Sequence, residues 1–226
     1  MHGVLRIGHR GAAGHAPENT LAAIQKGIAL GVNFVEIDVR RTADGVLVAL
    51  HDETVNRTTN GKGRVDRMCL RDIEKFDAGD GEHIPTLEEV LKVAARKTGL
   101  MLELKIRGGA QQTVEAVREA GIRDSVIYAS FLHEELHHVR TVDPEASLMV
   151  LFGGQSRISV ARAVKYGSSY AGLRHDKATR VLVDSFHRAG LLVFVYTADA
   201  PRDIQHALSL EVDGVISNFP ERIVNQ

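Results

Sequence analysis

The sequence predicts an α/β chain folded as a (β/α)8 TIM-type barrel with a small insertion after the second strand. Three observations point there. Apolar runs of strand length alternate with helical patterns along the 226 residues, enough for eight βα units. The first two runs flank a helix between Val4 and Val39, a βαβ unit that requires parallel strands. Residues suited to chemistry stand at the C-terminal ends of the first three barrel strands, the face on which such barrels build their sites. A doubly wound open sheet is the competing arrangement, and the strand count favours the barrel. One domain over 1–226 is expected, carrying an inserted subdomain at about 52–85.

Taken in order, Val4 to Gly8 reads as a short buried strand, broken by Gly11 and Gly14. Asn19 or Thr20 caps a helix on which Leu21, Ile24, Ile28 and Leu30 follow helical spacing, and Gly31 ends it. Phe34–Val39 is the second strand. Ala43-Asp44-Gly45 signals a hairpin. A turn centred on Asp44-Gly45 would return Val46–His51 along that strand and set His51 opposite Asp38. Residues 52–85 are loop-like, with one helical piece near Leu70–Phe76. Thr86-Leu87-Glu88-Glu89 is a capping box opening a helix through Ala95. Strands then recur at 100–104, 126–129, 148–152, 170–173, 192–196 and 214–216. The helices between them begin near Gln111, His133, Arg157, Lys177 and Pro201, the last capped by Asp199 or Ala200.

A hydrophobic fraction of 44% and a charged fraction of 25% are those of a globular chain. A formal net charge of −1 gives no reason to expect nucleic acid as a partner. Cys69 is the single cysteine, so no internal disulfide forms and nothing points to an oxidising compartment. No apolar run approaches the length of a membrane span, so stable membrane insertion is not expected. Met1-His2-Gly3 leads straight into the first strand with no room for a signal peptide, and a cytoplasmic location is the expectation.

The candidate chemistry gathers from separate strands. Glu36 and Asp38 are two apart on one strand and share a face, away from Val35, Ile37 and Val39. Two acids facing a barrel mouth must be paired or hold a cation. Glu103, at the end of the next barrel strand, could complete a three-carboxylate set. Oxygen ligands alone suit Mg²⁺ or Ca²⁺. The competing reading is a set of structural ion pairs with Arg10, Arg40 or Lys105. His9 and His51 suit proton transfer near neutral pH. Arg10 offers a fork for phosphate oxygens and Lys105 a point charge. A divalent cation, three carboxylates and these two cations sum to +1, which complements a singly charged phosphodiester.

His9-Arg10-Gly11, Pro17-Glu18-Asn19-Thr20, Glu36-x-Asp38, His51-Asp52, Arg57-Thr58-Thr59-x-Gly61-x-Gly63, Ile84-Pro85-Thr86-Leu87-Glu88 and Glu103-x-Lys105 together resemble the glycerophosphodiester phosphodiesterase family. Asp213–Pro220 resembles that family's closing strand, and Ser130-Phe131 adds a point in the middle of the chain. The resemblance implies a metal-dependent hydrolase releasing glycerol 3-phosphate and an alcohol from a small phosphodiester. It implies a cation on Glu36, Asp38 and Glu103, and His9 with His51 as the acid/base pair. Arg10, Lys105, Phe131 and Tyr196 are then the expected substrate contacts. Tyr196 and Asn218 depart from the Trp and Asp often found in that family; both positions are expected at the mouth, bearing on the substrate head group.

Two further readings compete. Cleavage of lysophospholipids needs an apolar rim, which Phe131, Leu132, Leu173 and Phe219 could supply. A non-catalytic phosphate-ester binding protein would need the cations but not both histidines. Two motifs are read as decoys. His133-Glu134-Glu135-Leu136-His137 has the H-E-x-x-H zinc spacing but no obvious third ligand. Gly8, Gly11 and Gly14 imitate a dinucleotide fingerprint but lack the close Gly-x-Gly pair.

Overall fold

The computed structural model describes residues 3–154 and 158–223. Its strands are β1 (Leu5–Gly8), β2 (Phe34–Arg41), β3 (Leu47–Ala49), β4 (Gly99–Leu104), β5 (Val126–Ser130), β6 (Ser147–Phe152), β7 (Tyr170–Arg174), β8 (Leu192–Tyr196) and β9 (Gly214–Ser217). Its α-helices are α1 (Leu21–Ala29), α2 (Leu70–Ile73), α3 (Leu87–Ala94), α4 (Ala110–Glu119), α5 (His133–Val142), α6 (Val160–Lys165), α7 (Arg180–Arg188) and α8 (Pro201–Ser209). All strands except β3 are parallel and run in the order β1-β9-β8-β7-β6-β5-β4-β2. Pairing of β1 with β2 closes them into an eight-stranded barrel, so the open sheet is excluded.

Alternation along each strand separates two cores. Val35, Ile37, Val39, Leu100, Leu102 and Leu104 face outward and pack under the helices. Ile7, Met101, Ile127, Met149, Phe194 and Ile216 fill the barrel interior. Glu36, Asp38 and Glu103 therefore point inward, at the C-terminal ends of β2 and β4, where Asp38 is in register with Glu103.

The β2–β3 hairpin has a different register from the one expected. Val39 pairs with Ala49 and Arg41 with Leu47, so Leu50, not His51, lies opposite Asp38. The cause is a three-residue loop. Thr42 and Val46 form the closing pair, and Gly45 takes the left-handed position at φ +88°. His51 still reaches the mouth because the chain bends away after β3. Residues beyond the hairpin form the insertion, whose own small core joins Val48 and Leu50 to Val55, Val65, Ile73, Ala78 and Ile84.

Helix starts follow local chemistry. Thr20 caps α1 by accepting from the Ala23 amide, Gly31 ends it at φ +68°, and the Thr86/Glu89 capping box opens α3. The helical piece in the insertion stops at Ile73, short of Phe76. α7 begins at Arg180 rather than near Lys177, because Thr179 supplies the cap to the Leu182 amide. The start expected near Arg157 lies outside the described residues, and α6 is capped by Ser159. At α8 the cap is Ala200, with Pro201 in the first turn; the Asp199 carboxylate is used elsewhere.

Candidate active site

Three carboxylates form the centre. Glu36, Asp38 and Glu103 each present an oxygen within 4.8 Å of the others. Asp38 is 1% exposed and Glu36 4%, so neither is hydrated freely. Asp38 is the best compensated. Asn19 clamps it, donating from Nδ2 to Oδ2 at 2.8 Å and accepting the Asp38 amide at 3.1 Å. Lys105 Nζ lies 3.2 Å and Arg10 Nε 3.3 Å from its oxygens. Burial would raise the Asp38 pKa, but Lys105, Arg10 and His51 overcome it and hold the carboxyl below its usual range.

Glu36 is the opposite case. The Arg10 amide donates to Oε2 at 2.8 Å, but Oε1 is buried with no hydrogen-bond partner. Burial first, then the charges of Asp38 and Glu103, push its pKa well above the usual value. Glu103, 2.6 Å from Lys105, is pushed up to about 7 by burial and by Asp38. Crowded buried carboxylates with a bare inward oxygen are the donor set of a hard divalent cation. The residues present fit that group.

The two histidines both line the pocket at this centre, each anchored through Nδ1. His9, after β1, lies 2.8 Å from Asn218 Oδ1. Asn218 donates Nδ2 to Asp199 at 2.6 Å, so its oxygen must face His9. His9 Nδ1 then carries the proton, and Nε2 offers a lone pair to the pocket, 4.0 Å from Glu36 Oε2. Burial, followed by the Arg10 charge, lowers the His9 pKa to about 4. His51 Nδ1 lies 2.6 Å from Asp52 Oδ1. Burial lowers the His51 pKa as well, against the opposing charge of Asp38 and the hydrogen bond to Asp52.

Asp52 is itself fixed. Arg57 donates to it at 2.7 Å and to both oxygens of Glu18 at 2.8 Å, and Glu18 also accepts from Arg10 at 2.7 Å. An ionic chain thus links His51 to Arg10 through Asp52, Arg57 and Glu18. Arg10 stands at φ +50°, which turns its amide to Glu36 while its side chain reaches Asp38 and Glu18.

These groups open on a pocket of about 180 Å³ lined by His9, Arg10, Glu36, His51, Glu103 and Lys105. Phe131 and Tyr196 form one edge, ring to ring at 5.9 Å, and Lys105 Nζ lies 5.9 Å from the Phe131 ring. The Tyr196 hydroxyl donates to the Phe152 carbonyl at 2.7 Å and does not point at the carboxylates. Of the apolar residues considered for a rim, Phe131 alone lines this pocket. Leu173 is fully buried in the outer core, and Phe219 packs on His15 and Arg222. Asn218, expected at the mouth, does not line this pocket; it stands behind His9.

The sequence offers Asn19 and Asp199 only as helix caps, and Glu18, Asp52 and Arg57 only as members of the family's motifs, with no role in the site. The adjacency of Asp52 to His51, and the place of Glu18, Asn19 and Arg57 in those motifs, are the signals that point to them. The decoys resolve structurally. His133 Nε2 bonds to the Leu151 carbonyl at 2.9 Å, and its ring packs on Phe152 and Tyr166. Among the described residues the acidic triad is the only candidate metal cluster. Gly11, at φ +94°, brings the β1–α1 loop onto Ala23 of α1, so its role is close packing.

A sequence model of the "Glycerophosphoryl diester phosphodiesterase family" matches residues 9–222. The chain is 32% identical to a glycerophosphodiester phosphodiesterase of Caldanaerobacter subterraneus, over 98% of this chain and 96% of that one. It is similar in structure to an Oleispira antarctica phosphodiesterase solved in complex with its product sn-glycerol-3-phosphate, with TM-score 0.90, 28% identity, and coverage of 96% of this chain and 94% of that one. A glycerophosphodiester phosphodiesterase from Agrobacterium tumefaciens matches with TM-score 0.86 and 29% identity, over 97% and 99% of the two chains. A match to the family's sequence model over nearly the whole chain, together with the shared barrel, places this protein in the glycerophosphoryl diester phosphodiesterase family, as a phosphoric diester hydrolase.

Proposed function

We propose that this barrel hydrolyses glycerophosphodiesters to glycerol 3-phosphate and an alcohol, with one divalent cation, Mg²⁺ or Ca²⁺, on Glu36, Asp38 and Glu103. The observation that carries the reading is the convergence of those three carboxylates, one with a bare buried oxygen, in one pocket with two anchored histidines. A bound cation supplies Lewis-acid stabilisation of charge on the phosphoryl oxygens.

The chain's own residues do the rest. Arg10 and Lys105 face the non-bridging oxygens and stabilise their charge. His9, kept neutral by burial and by Arg10, takes the proton of the attacking oxygen on Nε2. That oxygen belongs to water or to the substrate's own hydroxyl. His51, whose imidazolium Asp52 stabilises, gives its proton to the leaving alkoxide as the phosphorus–oxygen bond breaks. Phe131 and Tyr196 bound one edge of the pocket. In this reading residues 52–85 are an inserted subdomain of one catalytic barrel domain, and Arg57 ties it to the β1–α1 loop.

The test is release of glycerol 3-phosphate from glycerophosphocholine, before and after chelation, with Mg²⁺, Mn²⁺ and Ca²⁺ added back separately. Activity lost on chelation and restored by a cation is the expected result. Full activity in the chelated enzyme would remove the cation from the mechanism. No turnover with any cation, on folded protein, would overturn the reading.

A further inference from the structure

A second cavity, of about 580 Å³, adjoins the catalytic pocket, and Lys105 lines both. Its walls are the outer end of β2, the insertion, and the loop after β4. Strand alternation explains its charge. Glu36, Asp38 and Arg40 share the inward face of β2, and Glu103 and Lys105 continue the matching face of β4. Arg40 and Lys105 therefore form the layer directly above the carboxylates. Arg41 and Arg107 extend the positive surface outward.

The commitments of these cations differ. Arg64, across the cavity, is taken up by Glu53 and Asp66 at 2.6 and 2.8 Å. Lys105 is held by Asp38 and Glu103. Arg40 gives only Nε, to the His51 carbonyl at 2.8 Å, and Arg41 only one Nη, to the Gly108 carbonyl at 3.0 Å. Among the described residues, none of Arg40, Arg41 and Arg107 forms a direct ion pair; Arg40 is half-buried, and Glu53, which lines the same cavity, is the strongest opposing charge acting on it. A chain with net charge −1 thus concentrates three guanidinium groups without a direct ion pair on one cleft beside its reaction centre.

We propose that this cleft binds a phosphomonoester on the alcohol half of the substrate while the scissile diester lies over the carboxylates. Glycerol brings no second anion, so the extra charge must belong to the alcohol. Several forked donors suit a dianion with three oxygens better than a single carboxylate. The cleft's volume admits a ring-sized alcohol between the two phosphates. The inference rests on the phosphodiesterase reading above and adds a substrate class to it.

The test compares glycerophosphoinositol with glycerophosphoinositol 4-phosphate, which differ only by that group, on the cation-loaded enzyme at low and high salt. Expected is a kcat/KM about tenfold higher for the phosphorylated substrate, shrinking as salt rises. In an Arg41→Gln/Arg107→Gln variant the preference should vanish while turnover of glycerophosphoinositol stays. Equal kcat/KM on the two substrates, or a preference that survives the double substitution, would overturn the proposal and leave the phosphodiesterase reading intact. Failure to cleave either substrate or glycerophosphocholine would overturn both.

Discussion

At the scale of single residues, the two histidines differ in what stands behind them. His9 is backed by an amide and His51 by a carboxylate. A carboxylate stabilises an imidazolium; an amide fixes a tautomer and adds no charge. Replacing His51→Ala should lower kcat by about 10²–10⁴-fold while cation affinity, measured calorimetrically, stays near wild type. Wild-type-like turnover would exclude His51 as the acid. Glu36→Gln and Asp38→Asn should instead weaken cation binding directly. Unchanged metal content in both would make the carboxylate cluster structural. The nine candidate residues were legible because each is a chemically distinctive type at the end of, or just beyond, a readable strand. Glu18, Asn19, Arg57 and Asp199 were not. Asn19 and Asp199 each meet their partner 19 residues away along the chain and Glu18 meets Arg57 at 39, and no local pattern records such a contact.

At the scale of elements, the β1–α1 loop is held to α1 at van der Waals limits. A Cβ on Gly11 would fall 2.5 Å from the Ala23 backbone, and its φ of +94° also disfavours a side chain. Gly45 has a similar φ of +88° but open space around it. Gly45→Ala should therefore cost about 1–2 kcal/mol, from backbone strain alone. Gly11→Ala should cost more, about 2–5 kcal/mol with the clash added, and should also reduce activity because Arg10 moves with the loop. Thermal unfolding of the two variants separates strain from packing; equal losses would mean that the contact with Ala23 is not limiting. The hairpin gives the matching lesson in register. Asp44-Gly45 announces a turn, but whether two or three residues close it depends on which pair bonds across it. Here Thr42 Oγ1 accepts from the Val46 amide and selects the longer loop.

At the scale of the whole molecule, the carboxylate cluster couples cation binding to stability. Burial and mutual repulsion raise the pKa of Glu36 and Glu103 in the folded state, to about 7 for Glu103. Below the unfolded carboxylate pKa both states are protonated and no penalty arises. As pH rises toward 7 the unfolded chain binds fewer protons than the folded one, so cation-free protein loses stability across that window. A bound divalent cation offsets the repulsion and adds its own binding free energy. The rise in Tm on adding Mg²⁺ or Ca²⁺ should thus be larger at pH 8 than at pH 5. A rise independent of pH, or none at all, would argue against the site.

The barrel class, its strand order along the chain, the faces of Glu36 and Asp38, and the gathering of acids, imidazoles and cations at the strand ends were all determined by the sequence itself. They follow from two periodicities and from residue chemistry, which act within a few positions of each other. The hairpin register, the exposure of Phe131 against the burial of Leu173, the placing of Asn218 behind His9, and the ionic chain from Asp52 to Arg10 were decided only by tertiary structure. The hairpin register turns on one local contact, Thr42 with Val46, that turn residues alone do not announce; the others depend on side chains far apart in sequence, and barrel closure, which brings β1 between β2 and β9, helps set those distances.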